Sequence, residues 1–122
     1  MPKKKPTTNL EKLFHEPNRI AILSALANAD EEGLSFGELR VLCRLTDGNL
    51  NRHLAALEEE GIVRVKKAFV DRKPRTTILP TTKGLDRFAA YLAALERVLK
   101  EARDALPARN RARLAALRRA TA

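Results

Sequence analysis

The sequence of 122 residues predicts a mainly α fold with one small β-hairpin and a long helix near the C-terminus. Three patterns carry that reading. Apolar residues recur at helical spacing before residue 60, one β-branched run alternates after it, and a heptad of apolar positions runs from Leu85 to Leu106. Residues 1–9, with Lys3, Lys4 and Lys5 between two prolines, read as a basic flexible arm. Leu10, Leu13 and Phe14, then Ile20, Leu23 and Leu26, keep helical spacing to about Asn28, with Pro17 suited to the first turn of a second helical segment.

Asp30 to Gly33 is a polar loop, and a second helix starts after it. Ser35 is an N-cap, Glu38 three residues on completes a capping box, and Leu34 with Leu39 makes the hydrophobic staple. This helix ends near Cys43. Only Arg44 and Leu45 separate it from Thr46, the N-cap of a third helix over Asp47–Glu60 that turns Leu50, Leu54 and Leu57 to one face and stops at Gly61. Ile62 to Ala68 alternates as a strand, Thr76 to Leu79 is its partner, and Phe69 to Arg75 between them is a loop dense in positive charge. After Pro80, Thr81 or Thr82 caps a fourth helix that continues to Leu106, where Pro107 halts it, and an arginine-rich segment follows.

Composition narrows the function. Hydrophobic content of 44% builds one core, and charged content of 32% without a low-complexity tract argues against disorder. The longest apolar stretch, Phe88 to Leu95, is far short of the roughly 20 residues needed to span a bilayer, so a soluble, cytoplasmic protein without a membrane partner is expected. Cys43 is the only cysteine and His15 and His53 the only histidines, so neither a disulfide nor a metal site is expected; packing in the core is the reading for Cys43. No glycine-rich phosphate loop, no carboxylate pair beside a histidine and no nucleophile with a base marks catalysis, and no cofactor is implied. The net charge of +9 is unevenly placed. Residues 1–60 carry 8 basic and 10 acidic side chains, whereas residues 61–122 carry 16 and 5. Such a bias adds nothing to a fold and attracts a polyanion, nucleic acid first.

Helix, helix, tight turn, helix, then a basic hairpin is the order of a winged helix-turn-helix, in which the third helix enters the major groove. Thr46-Asp47-Gly48-Asn49-Leu50-Asn51-Arg52-His53-Leu54, followed by Leu57, Glu58, Gly61, Ile62 and Val63, resembles the recognition-helix stretch of MarR/ArsR-type winged-helix transcriptional regulators. Val65-Lys66-Lys67, Arg72 through Thr77 and Thr81-Thr82-Lys83-Gly84 are similar to the wing of small stand-alone regulators of that kind, and the resemblance covers roughly residues 10–100. It implies a double-stranded-DNA-binding regulator. Metal-sensing ArsR relatives place paired cysteines near the recognition region, and a lone Cys43 departs from that pattern. The expected organisation is an arm (1–9), a winged helix-turn-helix DNA-binding domain (10–81), a dimerisation helix (82–107) and an arginine-rich C-terminal segment (108–122).

Taking Leu50 as the inward reference, Gly48, Asn51, Arg52 and Ala55 turn outward with Asn49 at the flank. Arg52 can donate two hydrogen bonds to guanine, Asn49 and Asn51 match adenine's donor and acceptor edge, and Gly48 admits a phosphate close to the backbone. Glu58 to Glu60 repel phosphates, so the first half of the helix is the half that enters the groove. His53 falls at the rim of the apolar face and reads as a packing or structural hydrogen-bonding residue. On the wing, Arg72, Lys73 and Arg75 suit phosphates or a minor groove, and Lys67 at the strand base suits backbone.

The heptad of Leu85, Phe88, Leu92, Leu95, Leu99, Ala102 and Leu106 lies on a helix of roughly 37 Å, longer than a body of about 30 Å across. The overhang predicts a homodimer through that seam, with Leu10, Leu13 and Phe14 alongside. A repressor reading half-sites about 34 to 36 Å apart follows. A weakly specific architectural nucleic-acid coat, using Arg109, Arg111, Arg113, Arg118 and Arg119, and a protein-assembly module are the alternatives. No pattern marks an effector: a pocket under the fourth helix would be lined by ordinary Leu and Phe with Tyr91.

Overall fold

The protein is described here by a computed structural model covering residues 10–121, with side chains throughout except at 108 and 109. The lysine-rich arm at residues 1–9 lies outside the described residues. Five helices and three strands follow in the order α1 (Pro17–Asn28), β1 (Leu34–Ser35), α2 (Phe36–Cys43), α3 (Asp47–Glu59), β2 (Val63–Val70), β3 (Lys73–Pro80), α4 (Thr82–Ala105) and α5 (Ala108–Thr121). This is the winged helix-turn-helix order expected from the sequence, a helical body with a small antiparallel sheet and a long helix after it.

Local chemistry sets the boundaries. Residues 12–14 form a turn rather than a leading helix, because α1 starts at Pro17 with the Glu16 carboxylate accepting from the Arg19 N–H at 3.0 Å. The expected capping box is present: Ser35 Oγ accepts from the Glu38 N–H at 3.1 Å, and Glu38 Oε1 accepts from the Ser35 N–H at 3.0 Å. Those bonds to the charged form, with Arg75 nearby, hold the Glu38 carboxyl below its ordinary pKa. Between α2 and α3, Arg44 takes the left-handed conformation (φ 55°), and Thr46 Oγ1 caps α3 by accepting from the Asn49 N–H at 3.2 Å. Gly61, at φ 73°, turns the chain from α3 into β2.

The sheet differs from expectation in two ways. Leu34–Ser35, read as a cap and staple, is also a short edge strand pairing with Ile78 and Thr77, so the sheet order is β1-β3-β2. The long basic loop over Phe69–Arg75 is instead a hairpin closed by Asp71 and Arg72 alone, both at positive φ (52° and 67°). Two left-handed residues match the twist of the flanking strands, which lets the strands pair out to Val70 and Lys73.

One hydrophobic cluster joins Ile22, Leu23 and Leu26 of α1, Leu39 of α2, Leu50, Leu54 and Leu57 of α3, Ile62, Val63 and Ile78 of the sheet, and Phe88 and Tyr91 of α4. Phe14 completes it, with its ring centroid 5.8 Å from that of Phe88 and 5.7 Å from that of Tyr91. Tyr91 is 2% exposed, and its hydroxyl lies 2.8 Å from His15 Nδ1. Arg87 lies over the Phe14 ring and pairs with Glu11 at 2.6 Å and Glu60 at 3.5 Å. The space under α4 offered to an effector is therefore filled by aromatic rings.

This packing also takes two residues out of the dimer seam expected from the sequence. Phe14 and Phe88 are 0% and 4% exposed within a single chain, so both belong to the chain's own core and not to a contact between copies. Leu10, Leu13, Leu92 and Leu95 are half-buried against the same core, and Leu85 is half-buried. Only beyond the body does the seam face outward, at Leu99 and Leu106, and α5 adds exposed Leu114 and Leu117. Cys43 is half-buried against the core, where burial raises its thiol pKa and keeps the unreactive protonated form.

Candidate nucleic-acid interface

Helix α3 has two chemically distinct sides. Leu50, His53, Leu54 and Leu57 are buried, whereas Gly48, Asn49, Asn51, Arg52 and Ala55 are exposed, as the helical period requires. Asn49 contributes only its backbone N–H to the cap made by Thr46, which leaves its side-chain amide exposed for another partner. Arg40 Nε lies 3.1 Å from Asp47 Oδ1 and ties α2 to the first turn of α3.

The buried side holds α3 in place through His53. Arg19 Nε donates to His53 Nδ1 at 3.1 Å, and the same Arg19 donates from Nη1 to the Leu13 carbonyl at 3.1 Å. With Nδ1 accepting, the ring proton sits on Nε2, which is buried without a hydrogen bond and 3.6 Å from Glu16 Oε2. Burial, foremost, lowers the His53 pKa below 6.5; Glu16 opposes that shift, and Arg19 and Arg52 add to it. The unfolded chain therefore takes up this proton more readily than the folded one, so His53 favours folding above pH 6.5 and loses that contribution as the pH falls below it. Urea midpoints at about pH 7.5 and about pH 5.5 check this, and the drop on acidification is expected to be smaller in His53→Gln.

The hairpin stands beside α3, and the strand pairing assigns its faces. Cross-strand partners share a face, so Val65 with Ile78, Lys67 with Thr76 and Phe69 with Pro74 look one way, while Arg64, Lys66, Ala68 and Arg75 look the other. The first face and α3 enclose an open groove of about 530 Å³ lined by Asn51, Ala55, Glu58, Val65, Lys67 and Thr76. Lys67, Arg72 and Lys73 are exposed along the groove edge and tip. Arg75 is placed differently from Lys67: it faces α2, with Nη2 3.6 Å from Glu38 Oε1. Asn51 and Lys67 thus line the open groove together, Arg52 is exposed at the next position of α3, and Arg72 and Lys73 lie outward at the hairpin tip.

Two features escaped the sequence reading. Arg44 is exposed in the turn that leads into α3, and its only sequence signal is a basic residue between two caps. Phe69 and Val70 are exposed at 77% and 47% at the hairpin tip, because the strands continue where a loop was expected. Among the described residues, no helix is long and apolar enough to cross a membrane.

Comparison with known proteins agrees with this geometry. Residues 18–99 match the family model of a winged helix DNA-binding domain. An uncharacterized protein of Methanocaldococcus jannaschii is 38% identical over 81 residues, 66% of this chain and 86% of that protein. The structure of a transcriptional regulator homologue from Pyrococcus horikoshii superposes with a TM-score of 0.63 at 27% identity, covering 73% of this chain and 86% of that one. The fold is also similar to that of MepR of S. aureus in a MepR-DNA complex: TM-score 0.62, 17% identity, 93% of this chain and 86% of that one.

Proposed function

The chain belongs to the winged helix DNA-binding domain family, and on that premise we propose that it is a homodimeric, sequence-specific regulator of transcription that represses by occupying its operator. The observation that carries this reading is the groove that Asn51 of α3 shares with Lys67 of the adjoining hairpin, with Gly48, Asn49 and Arg52 exposed on the same helix and Arg72 and Lys73 exposed at the hairpin tip. In the proposed complex, the first half of α3 lies in the major groove. Arg52 reads guanine, Asn51 and Asn49 read adenine, and Gly48 lets the backbone approach a phosphate. Lys67, Arg72 and Lys73 hold the flanking backbone, and Arg75 orients the hairpin through Glu38.

The exposed run of Leu99, Leu106, Leu114 and Leu117 supports a second copy of the chain as the partner of the C-terminal helices. Leu99→Asp is expected to turn a dimer into a monomer in size-exclusion chromatography with light scattering. The fold is expected to survive, because Leu99 is 49% exposed in the single chain. An unchanged mass removes this seam from the reading.

The exposed Arg111, Arg113, Arg118 and Arg119 on α5 favour a second reading, a weakly specific coat on nucleic acid that binds phosphates. Fluorescence anisotropy separates the two. The upstream region of the protein's own gene and a shuffled duplex are titrated at two salt concentrations. A preference of roughly tenfold or more that persists at the higher salt supports the operator reader, since specific sites exceed non-specific ones by about 10³ or more. Equal binding that collapses with salt supports the coat, and binding to neither duplex leaves the winged helix as a module for protein assembly.

A further inference from the structure

Phe69 is the most exposed large apolar side chain among the described residues, at 77%, and its neighbour Val70 is 47% exposed. Both stand at the hairpin tip, opposite Pro74 and Lys73 in the strand register. The tight turn of Asp71 and Arg72, two residues in the left-handed region, closes the hairpin immediately after Val70 and keeps Phe69 directly across from Pro74. The tip is ordered by strand pairing, yet nothing among the described residues covers its apolar pair.

Register and reach indicate what covers it. Phe69 shares a face with Lys67 and Val65, the face that borders the groove beside Asn51 and Ala55 of α3. Four strand residues beyond Val65, the ring stands about 13 Å farther out, enough for a hairpin seated beside a major-groove helix to pass one phosphate backbone. Lys67 lies two residues back on the same face as the ring and Arg72 sits in the turn just beyond it, whereas Lys73, paired with Val70, looks the other way. An apolar ring with cations on its strand and turn suits a site whose rim carries phosphates and whose stacked bases can open to admit the ring. The minor groove of duplex DNA offers both, because apolar side chains enter it and wedge between base steps.

We propose that Phe69, backed by Pro74, is a wedge that enters the minor groove beside the α3 site, partly unstacks one base step and bends the duplex. Because pyrimidine–purine steps unstack most easily, the wedge makes such a step a preferred feature of the operator at a position that α3 does not touch. This proposal rests on the reading of the protein as a duplex binder and adds a specificity-determining residue to it.

The test uses the full chain and duplexes that it selects from a randomised pool, with 2-aminopurine in place of adenine at successive positions and a fluorophore pair at the duplex ends. For the wild-type protein, 2-aminopurine emission is expected to rise at one step outside the α3 half-site, and energy transfer is expected to report a bend. Phe69→Ala is expected to abolish both signals and weaken binding about tenfold. Its melting temperature is expected to stay unchanged because the ring is exposed, and Phe69→Leu is expected to retain part of the bend. The proposal is overturned if emission rises at no position, or if Phe69→Ala keeps the wild-type emission and bend. A change in self-association in Phe69→Ala without a change in bend also overturns it and assigns the tip to a contact between proteins. Wild-type protein that selects no duplex overturns the duplex-binding reading itself, an outcome distinct from a complex that forms without unstacking.

Discussion

Replacing Gly84 by alanine is expected to lower the melting temperature by roughly 10 to 20 °C, a loss of about 3 kcal/mol from a single methyl group. The cause is a backbone junction. Thr81 donates from its N–H to the Ile62 carbonyl at 3.0 Å and from its hydroxyl to the Gly61 and Ile62 carbonyls at 2.6 and 3.1 Å. Gly84 closes the first turn of α4 by donating its N–H to Thr81 Oγ1 at 2.8 Å. A Cβ at Gly84 would meet the backbone of Ile62, approaching its carbonyl oxygen at 2.2 Å and its Cα at 2.8 Å. No rotamer relieves a clash between backbone and Cβ, so either α4 moves off the sheet or the start of β2 shifts. Gly37→Ala is the matched control. Its new methyl group would meet nothing within 4 Å, and helix propensity favours alanine by roughly 0.5 to 1 kcal/mol, so that variant is expected to melt no lower than wild type. Thermal unfolding followed by circular dichroism compares the two, and equal melting temperatures would overturn the packing account of Gly84.

Arg52→Ala and Asn51→Ala are each expected to reduce affinity for the operator by roughly 10- to 100-fold, about 1 to 3 kcal/mol, with little effect on a shuffled duplex. Both side chains are exposed on α3, so neither change is expected to disturb the core beneath. Arg52→Lys tests the geometry: lysine keeps the charge but loses the planar fork, so a bidentate contact to guanine predicts that most of the loss remains. Anisotropy titrations on native and shuffled duplexes provide the readout. Equal losses on both duplexes would make Arg52 a phosphate contact and move specificity elsewhere on the surface.

The outward face of α3 was legible in the sequence because a helix imposes one period on its side chains. Once Leu50, Leu54 and Leu57 are assigned inward, Gly48, Asn51 and Arg52 have no other direction. The wing was legible in existence but not in shape. Phe69 to Arg75 is rich in charge and contains Pro74, which reads as loop, yet Asp71 and Arg72 both accept left-handed conformations and the strands pair to the tip. The role of Arg75 depended on that register, which turns it toward Glu38 and away from Lys67.

Local chemistry along the chain determined the order of the elements, most of their ends, the capping box at Ser35 and Glu38, and the chemistry presented by α3, because caps, helical period and turn residues act over a few positions. Tertiary structure alone decided which apolar residues the chain keeps for itself. A heptad is the same string whether it packs on its own body or on a second copy, and only the approach of residues 10–16 to α4 made Phe14, Phe88 and Tyr91 one buried cluster while leaving Leu99 and Leu106 outside. The pairing of β1 with β3 joins Leu34 to Ile78 and Ser35 to Thr77, and the clasp of Arg19 on His53 likewise joins residues 34 positions apart, separations over which no local pattern carries a signal.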